Sequence, residues 1–177
     1  MSIFRFLDSL LRKLSYLGFL VASALLLVVG VMGTADVIST NLFFKPVPGL
    51  LELSGALLAV IVFLGLAEAQ ARGSNIIIDV ATQQMGPTMK RLSSLLTLAI
   101  GMAFMGLVAW QASKLALSSW SYNEKALGAF AFPVAPFKSV ACFGAWLATA
   151  EFARQFLRQL VAAEPDAGGQ EESDPHA

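Results

Sequence analysis

The sequence predicts an all-α integral membrane protein with four transmembrane helices and an N-terminal amphipathic interfacial helix. Three observations carry this. Of 177 residues, 56% are hydrophobic and only 14% charged, and the mean hydropathy of +0.69 lies far outside soluble composition. Four apolar runs each approach the ~20 residues that cross a hydrocarbon core. The cations also divide unequally between the segments joining those runs.

The opening "MSIFRFLDSLLRKLSY" sets Ile3, Phe4, Leu7, Leu10, Leu11 and Leu14 at helical spacing, with Arg5, Asp8, Ser9, Arg12 and Lys13 elsewhere. This describes an amphipathic surface helix over 1–14. The next run, "YLGFLVASALLLVVGVMGTA", is longer than the ~7–15-residue core of a secretory signal, so it reads as an uncleaved first span over about 16–36. Further spans fall at about 50–70, 92–114 and 134–156. Together, 15–160 form the membrane domain.

An even number of spans places both termini on one side. Arg5, Arg12, Lys13, Arg72, Lys90, Arg91, Arg154 and Arg158 share that side, and Lys45, Lys114, Lys125 and Lys138 fall opposite, eight against four. By the positive-inside rule the termini are cytoplasmic and the two proline-bearing loops external. In those loops "KPVPG" and "FPVAPFK" should begin or end helices, because proline lacks the amide donor and restrains its predecessor. The aromatics Phe43, Phe44, Trp120, Tyr122, Phe130 and Phe132 suit boundary anchors, or a docking surface for an external partner. In the middle loop, Ile76, Ile77, Val80 and Met85 among polar residues predict a short interfacial helix ended by Gly86 and Pro87. Residues 161–177 are small and acidic without apolar periodicity, which predicts a disordered tail.

Several function classes have no support. Zero net charge gives no basic surface for nucleic acid. The single cysteine, Cys142, lies within an apolar run, and the single histidine, His176, lies in the tail. Neither forms part of a metal or haem ligand set, and no cofactor is expected. No nucleophile–base pair, phosphate-binding glycine loop or carboxylate cluster marks an enzyme.

Small residues recur every three or four positions at Gly55 and Ala59, Gly65 and Ala69, Ala99 and Ala103, and Ala141 and Ala145, so that helix backbones can approach closely in lipid. The partner helix could belong to this chain or to another. Four acids accompany the spans: Asp36, Glu52, Glu68 and Glu151. All lie near span ends, where desolvation costs less than at mid-bilayer. Glu68 has Arg72 four residues on, and Glu151 has Arg154 and Arg158 at helical spacing, so local ion pairing accounts for both. Asp36 and Glu52 lie near the external boundary and suit helix capping or contact with water.

The first loop and second span resemble the small membrane subunit of tripartite ATP-independent periplasmic (TRAP) transporters. Asp36, Val37, Phe43, Pro46, Pro48 and Glu52 follow that family's first-loop order, and Phe63, Gly65, Arg72, Gly73, Ile76 and Asp79 its second block. Thr40 and Asn41 stand where the family often has Arg-Tyr, and Asn75 where it often has His. Lys45 is a candidate for the charge missing at Thr40. The resemblance implies a subunit without substrate or ion sites of its own. It would brace a large TRAP membrane subunit in the bacterial cytoplasmic membrane, while a periplasmic binding protein delivers an organic acid anion and an ion gradient drives uptake. Two other readings remain: a self-sufficient oligomeric carrier or channel built around Glu68 or Glu151, and an accessory subunit of some other membrane complex.

Overall fold

A computed structural model describes residues 2–72, 86–126 and 131–161. It contains four helices: α1 over Ser2–Phe43, α2 over Leu50–Ala71, α3 over Pro87–Ser121 and α4 over Ala135–Val161. Among the described residues the only extended pairing is an isolated bridge between Lys125 and Pro133. α1, α2 and α3 are long and apolar enough to cross a membrane. The interfacial helix expected around 76–85 and the acidic tail lie outside the described residues.

α1 is a single helix of 42 residues, about 63 Å long at ~1.5 Å per residue. No break separates the amphipathic segment 1–14 from the span, since the sequence offers no proline and its first glycine is Gly18. The helix also continues past Asp36, the expected limit of the span. Thr34 Oγ1 donates to the Gly30 carbonyl at 2.8 Å and Asn41 Nδ2 to the Val37 carbonyl at 2.8 Å, so polar side chains bond back onto their own helix.

The turn into α2 has a defined construction. Phe44 adopts a left-handed conformation (φ 53°), its N–H bonded to the Thr40 carbonyl at 3.1 Å. Ser39 Oγ donates to the Lys45 carbonyl at 2.7 Å. Gly49 then takes φ 77°, for which glycine carries no Cβ penalty, and its carbonyl accepts the first helical bond of α2 from Leu53. Gly86 and Pro87 open α3, and the helix they were expected to end lies outside the described residues. Gly86 is the N-cap, Pro87 stands in the first turn, where a missing N–H costs nothing, and Lys90 N–H bonds to the Gly86 carbonyl at 3.0 Å.

α4 is the central element. It packs against α3 and α2 along their lengths and touches α1, while α1 otherwise packs on α2. One cluster joins Ala22 of α1, Val60 and Leu64 of α2 and Ala141 of α4. A second joins Ala67, Met105, Leu147 and Ala148. These contacts are built largely from small residues, as lipid exposure requires when dispersion and close approach, and not water exclusion, hold helices together. Among the described glycines the tightest approach to another helix's backbone is at Gly144, where an added Cβ would stand 2.8 Å from the Phe63 carbonyl carbon and 2.9 Å from the Leu64 nitrogen. Gly101 likewise lies directly under the Phe152 ring. The outward faces stay apolar: Leu27 is 74% exposed, Val31 71% and Leu107 67%, as a lipid solvent demands.

The small-residue stripes separate into two groups. Ala141 and Ala145 are buried within the bundle, whereas Ala59 is exposed and Gly55 has open space around it. Gly65 and Ala69 are half-buried, Ala99 is half-buried and Ala103 exposed. Gly144→Ala should therefore lower stability by about 1–3 kcal/mol through overpacking against backbone, and Gly55→Ala should leave it unchanged or slightly raised. Thermal unfolding of the purified variants in mild detergent distinguishes the two.

Candidate functional site

At the bundle end that holds the start of α1, the end of α2 and the end of α4, polar side chains link helices that pack elsewhere through apolar contacts. Residues 151, 154 and 158 share one face of α4, and residues 8 and 15, two turns apart, share one face of α1. Arg154 Nη1 lies 2.7 Å from Asp8 Oδ1, and its Nε lies 2.6 Å from Glu151 Oε2. Arg158 Nη2 holds the other Asp8 oxygen at 2.5 Å. Ser15 Oγ donates to Glu151 Oε1 at 3.1 Å. Both oxygens of both carboxylates are thus engaged, and two acids balance two arginines.

Burial makes these bonds consequential. Glu151 is fully buried and Arg154 only 6% exposed. A lone buried ion is costly, so each requires the other. The expected pairing of Glu151 with Arg154 is present, but Arg158 turns to Asp8 across the helix interface instead of to Glu151.

Further bonds extend this end of the bundle. Gln70 of α2 donates to Gln155 Oε1 at 2.9 Å, and Gln155 Nε2 donates back to the Gln70 carbonyl. Gln159 Nε2 reaches Ser94 Oγ of α3 at 2.8 Å. Glu68 and Arg72 pair at 2.7 Å within α2, as their spacing predicts, and the Arg72 guanidinium lies 5.5 Å from the centre of the Phe19 ring on α1. Every helix is therefore joined to a neighbour by a polar or cation–π contact at this end.

The opposite end holds Asp36, Lys45, Pro46, Pro48 and Glu52. Asp36 Oδ1 accepts the Val47 N–H at 2.7 Å, fastening the proline-bearing turn to α1. Among the described residues Lys45 makes no ion pair with Asp36 or Glu52, and Asp36 takes a backbone donor. Glu52 stands in the first turn of α2, where a negative charge suits the helix dipole. Gly73 and Asp79 lie outside the described residues.

The second loop at this end is held by three residues absent from the expected site. Lys138 Nζ lies 2.6 Å from Glu124 Oε2 and 2.8 Å from Ser119 Oγ, and Ser119 Oγ donates to the same carboxylate oxygen at 2.5 Å. The hydrogen bond from Lys138, then that from Ser119, holds the Glu124 carboxyl below the ordinary glutamate range. At mid-bundle, Trp146 Nε1 donates to Ser113 Oγ at 2.9 Å, joining α4 to α3. Among the described residues no group of His, Cys, Asp and Glu is arranged to hold a metal ion.

A family model described as tripartite ATP-independent periplasmic transporters, DctQ component, matches residues 29–162, well over half of the chain. The chain belongs to this family. No curated protein and no solved structure gives a significant match. DctQ is a family of transporter components, not of enzymes, and its match covers part of α1 and all of α2, α3 and α4. Membership and the three spanning helices make this DctQ subunit a multi-pass protein of the inner membrane and the small permease component of a TRAP transporter.

Local spacing could reveal the Glu68–Arg72 and Glu151–Arg154 pairs. It could not reveal Asp8, Ser15 or Lys138, whose partners lie on other elements. Arg154→Ala should destabilise this DctQ subunit by about 3–5 kcal/mol, since it strands Glu151 in the interior. Arg72→Ala, which removes a side chain 56% exposed but leaves the buried Glu68 carboxylate without its cation, should cost about 1–3 kcal/mol; detergent thermal unfolding compares them. For Glu124 the folded carboxyl titrates below the unfolded value of ~4.3. Its contribution is therefore complete above that value and is lost as pH falls through the lower folded one. Glu124→Gln should flatten the acid side of the stability–pH curve, measured by unfolding midpoints between about pH 3 and 6.

Proposed function

We propose that this DctQ subunit braces the large membrane subunit of its transporter and neither binds nor moves substrate itself. The observation that carries this is the closure of its buried charges. A coupling carboxylate must exchange its partner for a proton or cation, yet Glu151 is fully buried with both oxygens held by Ser15 and Arg154. Glu68 is likewise bound to Arg72. Such bonds suit a rigid brace, because they tie one helix to the next without leaving an acid free to cycle.

In this scheme the termini face the cytoplasm, following the excess of cations on their side. The large subunit carries the moving parts and the ion sites. A periplasmic binding protein delivers an organic acid anion to the face formed by the two proline-bearing loops, and an ion gradient drives uptake. Gly55, Ala59 and Ala103, left outside this chain's own packing, are available for contact with a helix of the larger subunit. The aromatic residues near the external boundary are available to a partner outside the membrane.

The test is reconstitution. Liposomes holding this chain alone should take up no organic acid under a sodium or proton gradient, whereas adding the large subunit and the binding protein should establish uptake. Glu151→Gln should reduce recovery of the two-subunit complex from mild detergent while preserving the coupling ion of whatever complex remains. Gradient-driven uptake by this chain alone would overturn the proposal in favour of a self-sufficient carrier.

A further inference from the structure

Ala103, Leu107, Trp110, Gln111 and Lys114 recur at helical spacing on one face of α3, and all five are exposed. The first three suit lipid, but the amide of Gln111 and the ammonium of Lys114 do not. Among the described residues Gln111 makes no side-chain hydrogen bond and Lys114 no ion pair.

Contacts with α4 fix how deep this face lies. Lys138 and Arg158, each in an ion pair, mark the two ends of α4 and stand about 30 Å apart at ~1.5 Å per residue, the thickness of the hydrocarbon core. Between them, Ser113 of α3 lies 3.3 Å from Cys142 Sγ and accepts the Trp146 Nε1–H at 2.9 Å. Cys142 and Trp146 follow Lys138 by one and two turns of α4, which puts Ser113 about 6–12 Å inside the boundary at the proline-bearing loops. Gln111 and Lys114 flank Ser113 in sequence and sit at the same depth to within about 3 Å.

Lys114 does not reach back to the headgroups. Side chains on a helix lean toward its N-terminus, which for α3 is the opposite end of the bundle. The ammonium accordingly stands 5.4 Å from the centre of the Trp110 ring, whose residue is one turn deeper. A cation so placed calls for a carboxylate, and the amide beside it for a hydrogen-bond partner on a facing helix. A second copy of this chain cannot supply that carboxylate. α3 contains no acid, and the acids of the other helices, Asp8, Asp36, Glu52, Glu68 and Glu151, lie toward one end of the bundle or the other. A copy inserted in the same direction has none at the level of Lys114.

We infer that this face of α3 receives a transmembrane helix of the large membrane subunit, one that presents an Asp or Glu side chain to Lys114 and Gln111 in the external half of the bilayer. The inference rests on the bracing role and adds to it the face and the chemistry of the contact. In native membranes holding the whole transporter, a photo-crosslinking residue in place of Leu107 should label the large subunit. Lys114→Glu should lower recovery of the two-subunit complex from mild detergent about ten-fold, the scale of one charged contact between membrane helices. Lys114→Arg should keep recovery within about two-fold of wild type. Changing the Asp or Glu of the labelled helix to Lys should restore assembly with Lys114→Glu, a rescue that a general loss of folding would not allow. Full recovery with Lys114→Glu, absence of rescue, or labelling from position 107 of lipid or of a second copy of this chain would each overturn the inference. The bracing role would survive those results, because the wild-type complex would still be recovered. Failure of the wild-type chain to co-purify with the large subunit would overturn both.

Discussion

Arg154 is the point on which the fold depends most. It binds Asp8 at 2.7 Å and Glu151 at 2.6 Å while only 6% exposed, so two acids from two helices share one guanidinium. A planar group with several fixed donors can serve both carboxylates at once, which an ammonium cannot do with the same geometry. The pair of bonds sets the rotation of α4 about its axis and the height of α1 against it. With α4 so placed, Gly144 faces the backbone of α2 at Phe63 and Leu64, and Ala145 and Ala148 enter the interior. The apolar packing and the polar fastening thus specify the same arrangement.

The bilayer as solvent explains the unequal composition of the helices. α1, α2 and α3 present broad faces to lipid and must be apolar there, whereas α4 is packed by all three and need not be. It is the helix that carries Lys138, Glu151, Arg154 and Arg158. Its polar groups are protected by neighbours, and each of these four meets an opposite charge. α1 and α3, at 42 and 35 residues, are both longer than a hydrocarbon crossing requires, and their ends carry the fastenings of the two turns.

These features together suit a subunit whose value lies in holding its shape. Its buried acids are committed to structural bonds, its turns are pinned by side chain to backbone contacts, and its interior is filled by small residues at close range. In the proposed bracing role these properties would give another subunit a fixed surface against which to move.

The sequence by itself determined the membrane class, the all-helical fold and the family, because hydropathy, proline placement and motif order are local properties. It also determined the Glu68–Arg72 and Glu151–Arg154 pairs, since residues three or four apart on a helix are neighbours in any fold. Spacing could not determine that Asp8 reaches Arg154 and Arg158, that Ser119 and Lys138 converge on Glu124, or that Gly144, and not Gly55, lies against the backbone of another helix. Those depend on which helix faces which and at what rotation. The place of Pro87 at the opening of α3 was hidden for a related reason, since proline can interrupt a helix on its N-terminal side and can equally open one on its C-terminal side. The charged residues within "TADVISTNLFFKPVPGLLELSG" are fixed by the same logic. Asp36 could be read as a boundary acid from its position, but only the folded turn brings the Val47 N–H to its carboxylate and leaves Lys45 unpaired among the described residues, because an amide donor held in place by two prolines and a left-handed glycine is already there to be bonded.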